Sequence, residues 1–139
     1  MGKVLIEEVI NFYKTFDEYK DNPDQEIYQH LLPSFQLNQY KIFRKKNIFG
    51  FVNWAYLNDS TKTKLINHGI IDFSNWNSGN NLCFADLLCR KNIRDMINWC
   101  KEHFGKQLGY DKEVVWVKTF KRNIFIIRGS RTINICIVY

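Results

Sequence analysis

The chain reads as an α/β (α+β) protein: a single domain, residues 1–139, in which a mixed sheet is flanked by helices. Three observations lead there. Apolar residues recur at helical spacing near the N-terminus and again after residue 92, while the segments between and beyond alternate or run unbroken as strands do. The order is helices, hairpin, helix, strand, helix, strands, which calls for a sheet with helices packed on it. The length of 139 residues suits one hydrophobic core.

Taken in order, Val4 to Phe16 sets Leu5, Val9, Phe12, Tyr13 and Phe16 on one helical face and Glu7, Glu8, Asn11 and Lys14 on the other. Asp21, Asn22 and Pro23 interrupt this pattern. Asp24 is a candidate cap for a second helix running to about Leu32, which Pro33 should end. The period then changes to two. Phe35, Leu37, Tyr40, Ile42 and Phe43 predict a strand, Lys45, Lys46 and Asn47 a turn, and IFGFVNWAYL the second strand of a hairpin. Asp59 or Ser60 can cap a short helix carrying Leu65 and Ile66, with Gly69 at its C-terminal side, where a left-handed residue costs glycine little. Residues 74–81, SNWNSGNN, predict a loop feeding LCFADLLC, a buried strand with one charge, Asp86, inside it. Asn92 is a candidate cap for a helix bearing Ile93, Met96, Ile97, Cys100 and Phe104, with Gly105 just past its end. Three strands close the chain: VVWVKTF, NIFIIRG and TINICIVY, joined by turns at 121–123 and 129–131.

Composition narrows the function classes. At 45% hydrophobic and 16% aromatic the chain is too apolar to be disordered. No apolar run approaches the roughly 18–20 residues of a membrane helix, and Glu7 and Glu8 interrupt the stretch a signal peptide would need. A soluble, cytoplasmic protein is the expectation. Cys83, Cys89, Cys100 and Cys136 lack the spacing of a disulfide scaffold or a zinc site and are expected to be reduced thiols, with no metal. A net charge of +6 favours an acidic partner: an acidic protein, an anionic membrane or nucleic acid. The absence of RRM, KH, zinc-finger and helix-turn-helix signatures argues against nucleic acid.

One constellation goes further. Leu32 and Pro33, then Gln39 and Tyr40, then Asn53, Trp54, Ala55 and Leu57, then Trp76, Ser78 and Gly79, then Phe84 and Asp86 follow in an order and spacing that resembles the RTX-toxin-activating lysine acyltransferases. The likeness covers roughly residues 5–110. It implies a fold related to the GNAT acetyltransferases, acyl-carrier protein as donor of a phosphopantetheine thioester with no tightly bound cofactor, and a protein substrate such as an RTX-type protoxin. It also implies a catalytic His and Asp in the cytoplasm; a homodimer is compatible with it. The alternative is a member without catalysis that binds a partner through its basic, aromatic-rich face.

Carried over by position, the family's Asp falls on Asp86. A carboxylate within an apolar strand costs several kcal/mol unless it is hydrogen-bonded or paired, so Asp86 needs a partner on physical grounds too. It would orient a His that takes the proton from the attacking lysine, unless it merely bonds a neighbouring loop. An ungapped register puts Tyr19, with Lys20 beside it, where the family has that His, and the nearest imidazole is His30. Both are candidates; a tyrosine with an ordinary pKa near 10 is the poorer base, and His30 alone would equally suit a half-buried helix position. After Asp86 the family has an Ala-Pro-Phe-Gly-like turn, whereas this chain has Cys89, Arg90, Lys91 and Asn92. Arg90, Lys91 and the amides from Asn92 onward favour an anion there, or form a solvated helix start. Asn53, Trp54, Trp76, Ser78 and Gly79 complete the candidate substrate and donor contacts, with Ser78 donating to substrate and Gly79 permitting a tight turn. Trp76 would equally serve as an anchor of the loop to the core.

Overall fold

The computed structural model describes residues 2–108, 113–117, 122–128 and 132–138, with side chains for residues 5–107 and Val114. Four helices, α1 (Gly2–Tyr13), α2 (Asp24–Gln36), α3 (Asp59–His68) and α4 (Ile93–Leu108), pack with six strands. The strands are β1 (Tyr40–Arg44), β2 (Ile48–Leu57), β3 (Asn81–Cys89), β4 (Glu113–Val117), β5 (Arg122–Arg128) and β6 (Thr132–Val138). They lie side by side in chain order; every neighbouring pair is antiparallel except β3 and β4, which run parallel across the connection that contains α4. The mixed sheet flanked by helices is therefore present. Among the described residues no helix is long and apolar enough to cross a membrane.

Three buried clusters hold the layers together. On one face Phe51 of β2 and Leu88 of β3 meet Ile6, Val9, Ile10 and Tyr13 of α1 and Ile27 and Leu31 of α2. Further along, Ala55, Leu57 and Cys83 meet Leu65 of α3 and Trp76. On the opposite face Val52, Trp54, Leu82 and Phe84 receive Met96, Cys100 and Phe104 of α4. Several of these side chains are wholly buried, and each large apolar one contributes about 1.5–3 kcal/mol of transfer free energy.

Local boundaries differ from the sequence reading for identifiable reasons. Pro33 does not end α2; the helix runs to Gln36. Continuing it seats Phe35 against Tyr40, ring centroids 4.1 Å apart, and alongside Phe51. That packing outweighs the lost helical N–H, and the strand begins only at Tyr40, after Asn38 turns the chain with φ 55°. Asp24 is the first helical residue rather than the cap, which is Pro23. Asn58, not Asp59 or Ser60, caps α3, its side chain accepting from Thr61 N–H at 2.8 Å. Gly69 does take the left-handed conformation, φ 70°. Asn92 has φ 59°, and α4 continues through Gly105 because the apolar stripe ending in Phe104 is held by the sheet. The first two residues of the loop expected at 74–81 belong to a short 3₁₀ turn, Phe73–Asn75, and its last, Asn81, opens β3. The three C-terminal strands are present, while most of the turns expected at 121–123 and 129–131 falls outside the described residues.

Candidate active site

A fault in the sheet positions the site. Asn53 pairs with Asp86 and the next residue, Trp54, pairs with Phe84, so Ala85 is an extra residue on β3. Such a bulge re-aims the side chains that follow it. Up to Phe84 the even-numbered residues of β3 face α4; after the bulge Asp86 and Leu88 join the face covered by α1 and α2. Asp86 is 7% exposed.

Three donors converge on its carboxylate. Tyr13 O–H, from the end of α1, donates to Oδ2 at 2.6 Å, and Tyr19 O–H, from the loop that follows, donates to Oδ1 at 3.3 Å. His30 Nε2, from α2, lies 2.5 Å from Oδ2. The Asp86 backbone N–H in turn donates to Asn53 Oδ1 at 2.7 Å, and Asn53 Nδ2 donates to Ser34 Oγ at 3.0 Å. Ser34 sits one helical turn after His30, and both it and Asn53 are fully buried. This chain of bonds fixes the strand carrying the carboxylate relative to the helix carrying the imidazole.

The electrostatics follow. Burial pushes the Asp86 carboxyl up, but the His30 charge and the bonds from His30, Tyr13 and Tyr19 outweigh it and hold the group below its ordinary value. The Asp86 charge raises His30 against the opposing effect of burial, and the hydrogen bond adds to the rise. Burial and then the Asp86 charge push Tyr13 well above the usual tyrosine range, so it stays a proton donor. The His30 side chain is 43% exposed, and its Nδ1 makes no hydrogen bond among the described residues. With Nε2–H turned to Asp86, Nδ1 is the basic nitrogen, fixed in tautomer by the carboxylate. A carboxylate and a partly exposed imidazole are the parts of a general base.

The remaining candidates are dispersed around this centre. Trp76 is buried against Leu65 and Cys83, and its carbonyl accepts from Gln39 Nε2 and Tyr56 N–H. Ser78 Oγ donates to the Asn75 carbonyl and accepts from Asn58 N–H. Gly79 is set by close approach: a Cβ there would stand 2.5 Å from the Asn58 backbone. Trp54 lies on the opposite face, against Phe104 of α4. The Arg90 guanidinium stacks over the Phe16 ring at 4.2 Å, with Nε 3.3 Å from Thr15 Oγ1, and Lys91 and Asn92 are exposed beside it. Sequence reasoning missed Tyr13 and Ser34. Tyr13 carried a signal, since a tyrosine on the apolar face of a helix needs a partner for its hydroxyl; Ser34 carried none.

Residues 3–107 match the model of the RTX toxin acyltransferase family, three-quarters of the chain. The chain belongs to that family. It is also similar to a protein of Synechocystis sp. named "Uncharacterized protein sll0720", 34% identical over 134 residues, which cover 91% of this chain and 78% of that one. Membership supports an RTX toxin acyltransferase function in general and implies a toxin protein as substrate. In this family member the pair at the centre of the fold is Asp86 with His30, and Tyr19 bonds the same carboxylate.

Proposed function

We propose that this family member transfers a fatty acyl chain from acyl-carrier protein to an internal lysine of its protein substrate in the cytoplasm, with His30 as general base and Asp86 as the residue that orients it. The observation carrying this reading is the 2.5 Å contact between Nε2 of the partly exposed His30 and a buried carboxylate. The lysine amine attacks the thioester carbonyl as His30 Nδ1 accepts a proton from its nitrogen. The new C–N bond forms, the C–S bond breaks, and the carrier's thiol leaves with a proton. Asp86 stabilises the imidazolium without itself taking the proton. Tyr13 keeps that carboxylate ionised.

The net charge of +6 suits an acidic carrier protein whose prosthetic group bears a phosphate. Arg90 and Lys91, exposed at the end of β3, are the nearest cations after Asp86 in sequence for that phosphate. No tightly bound cofactor is required by this scheme. The test is to incubate the pure protein with a radiolabelled acyl-acyl-carrier protein and an RTX-type protoxin fragment, then map the product by mass spectrometry. Acylated lysine is expected from the wild type and loss of about 10²-fold or more in rate from Asp86→Asn. Absence of transfer to any protein, with a stoichiometric complex that survives Asp86→Ala, would favour a binding module instead.

A further inference from the structure

Two segments far apart in sequence bring cations to one end of the sheet. The β1–β2 turn carries Arg44, Lys45 and Lys46, and the passage from β3 into α4 carries Arg90, Lys91 and Arg94, all of them exposed. Strand pairing sets the two segments side by side. Gly50 pairs with Cys89, Arg90 N–H donates to the Phe49 carbonyl at 2.8 Å, and Lys45 Nζ stands 3.9 Å from Asp95 Oδ2. Glu8 pairs with Arg44 and Asp95 with Lys45, while Lys46, Lys91 and Arg94 pair with no carboxylate among the described residues. Ile93, which opens α4 between Lys91 and Arg94 in the chain, is 54% exposed.

We infer that this end of the sheet is the docking face for an acidic protein, the carrier that delivers the acyl chain, and that Lys46, Arg94 and Ile93 meet the body of that carrier. The inference rests on the acyltransferase reading and adds to it the surface on which the donor protein sits. Charge and polarity fit such a partner: unpaired cations around an exposed apolar side chain complement an acidic surface with an apolar spot. An anionic membrane fits less well. It attracts cations by number alone and repels Glu8 and Asp95, whereas here Lys45 is held by Asp95 and Arg90 by the Phe16 ring at 4.2 Å, a fixed arrangement that a specific partner can match. Position agrees as well. Arg90 follows Asp86 by four residues, about 13 Å at about 3.3 Å per strand residue, a gap that an extended phosphopantetheine arm spans. Arg90 and Lys91 then meet the arm's phosphate, and the β1–β2 turn with Ile93 and Arg94 meets the protein that bears it.

The experiment compares wild type with Lys46→Glu, Arg94→Glu and Ile93→Ser, and with Lys62→Glu on α3, beyond the far end of β2, as the control. Calorimetry measures binding of holo-acyl-carrier protein to the full chain across a salt series. Transfer is followed in parallel from acyl-acyl-carrier protein and from S-acyl-pantetheine, a thioester with no protein to dock. Lys46→Glu and Arg94→Glu should each weaken carrier binding by about tenfold or more, raise the KM for the carrier-borne donor alike with kcat kept, and flatten the dependence on salt. Ile93→Ser should weaken binding with the salt dependence unchanged. Lys62→Glu should do little, and transfer from S-acyl-pantetheine should be the same in every variant. Equal weakening by Lys62→Glu, or carrier binding indifferent to Lys46→Glu and Arg94→Glu, would overturn the assignment. Binding to vesicles of phosphatidylglycerol and phosphatidylcholine that these two reversals abolish, with carrier binding untouched, would overturn it in favour of a membrane. Carrier binding that the reversals weaken in a protein that transfers nothing would instead defeat the acyltransferase reading while leaving the docking face standing.

Discussion

Replacing Tyr13 by Phe isolates one bond at the centre of the site. The ring keeps its edge contacts with Tyr19 and Phe51, at centroid distances of 5.0 and 5.7 Å, so the packing is unchanged and the hydroxyl alone is removed. That hydroxyl belongs to a fully buried side chain and donates to Asp86 at 2.6 Å. A hydrogen bond to a charged group contributes about 1.5–3 kcal/mol, and a value of about 2 kcal/mol follows for Tyr13→Phe at neutral pH. The sign with pH is fixed. The Asp86 pKa is depressed in the folded protein, so its contribution is present above the ordinary carboxylate value and is lost as pH falls through the folded value. The gap between wild type and variant should therefore shrink at acid pH. Urea unfolding at neutral pH and below the ordinary carboxylate range measures both quantities. A difference under about 0.5 kcal/mol at neutral pH, or one that does not change with pH, would refute the assignment of Tyr13 as the carboxylate's stabilising donor.

Other expectations follow from the same geometry. Because His30 is raised by Asp86 and must be neutral to accept a proton, kcat/KM should climb with pH through a pKa above the ordinary histidine value of about 6.5. The Tyr13→Phe site should retain that limb, while Asp86→Asn moves it to lower pH. The same raised pKa gives stability that is fully present below the unfolded value and lost as pH rises through the folded one, so His30→Gln should flatten that fall in urea titrations. Asn53→Ala strips a partner from the Asp86 amide and from Ser34 Oγ and should cost about 2–4 kcal/mol, more than Ser34→Ala at about 1 kcal/mol; equal losses would contradict the brace. Gly79→Ala drives a Cβ into the Asn58 backbone and should cost about 1–3 kcal/mol in a thermal or urea melt. Burial pushes the Cys100 thiol up to about 12, so it should resist alkylation in the folded protein and react only on unfolding.

Much of this architecture is legible in the sequence because the apolar pattern states it. IFGFVNWAYL and LCFADLLC are β2 and the body of β3, and the Ile93-to-Phe104 stripe is α4. Asp86 is legible for the opposite reason, as a charge where the pattern allows none. What local pattern hides is long-range. Pro33 looks like a stop until Phe35 finds Tyr40 and Phe51. The bulge at Ala85 leaves no mark in LCFADLLC, because it depends on the register with β2. The placement of His30 is likewise set by where α2 crosses β3, 56 residues further along the chain, whereas the ungapped register pointed to Tyr19. Asn53 reads as a ligand contact in sequence, yet its full burial makes it a brace between strand and helix.

The decisive measurement is chemical rescue at residue 30. His30→Ala should lower the rate of acyl transfer from acyl-acyl-carrier protein by about 10²-fold or more, and added imidazole should restore part of it in proportion to its neutral form. Undiminished transfer by His30→Ala, with the loss appearing in Tyr19→Phe instead, would show that the proton acceptor is not the imidazole held by Asp86.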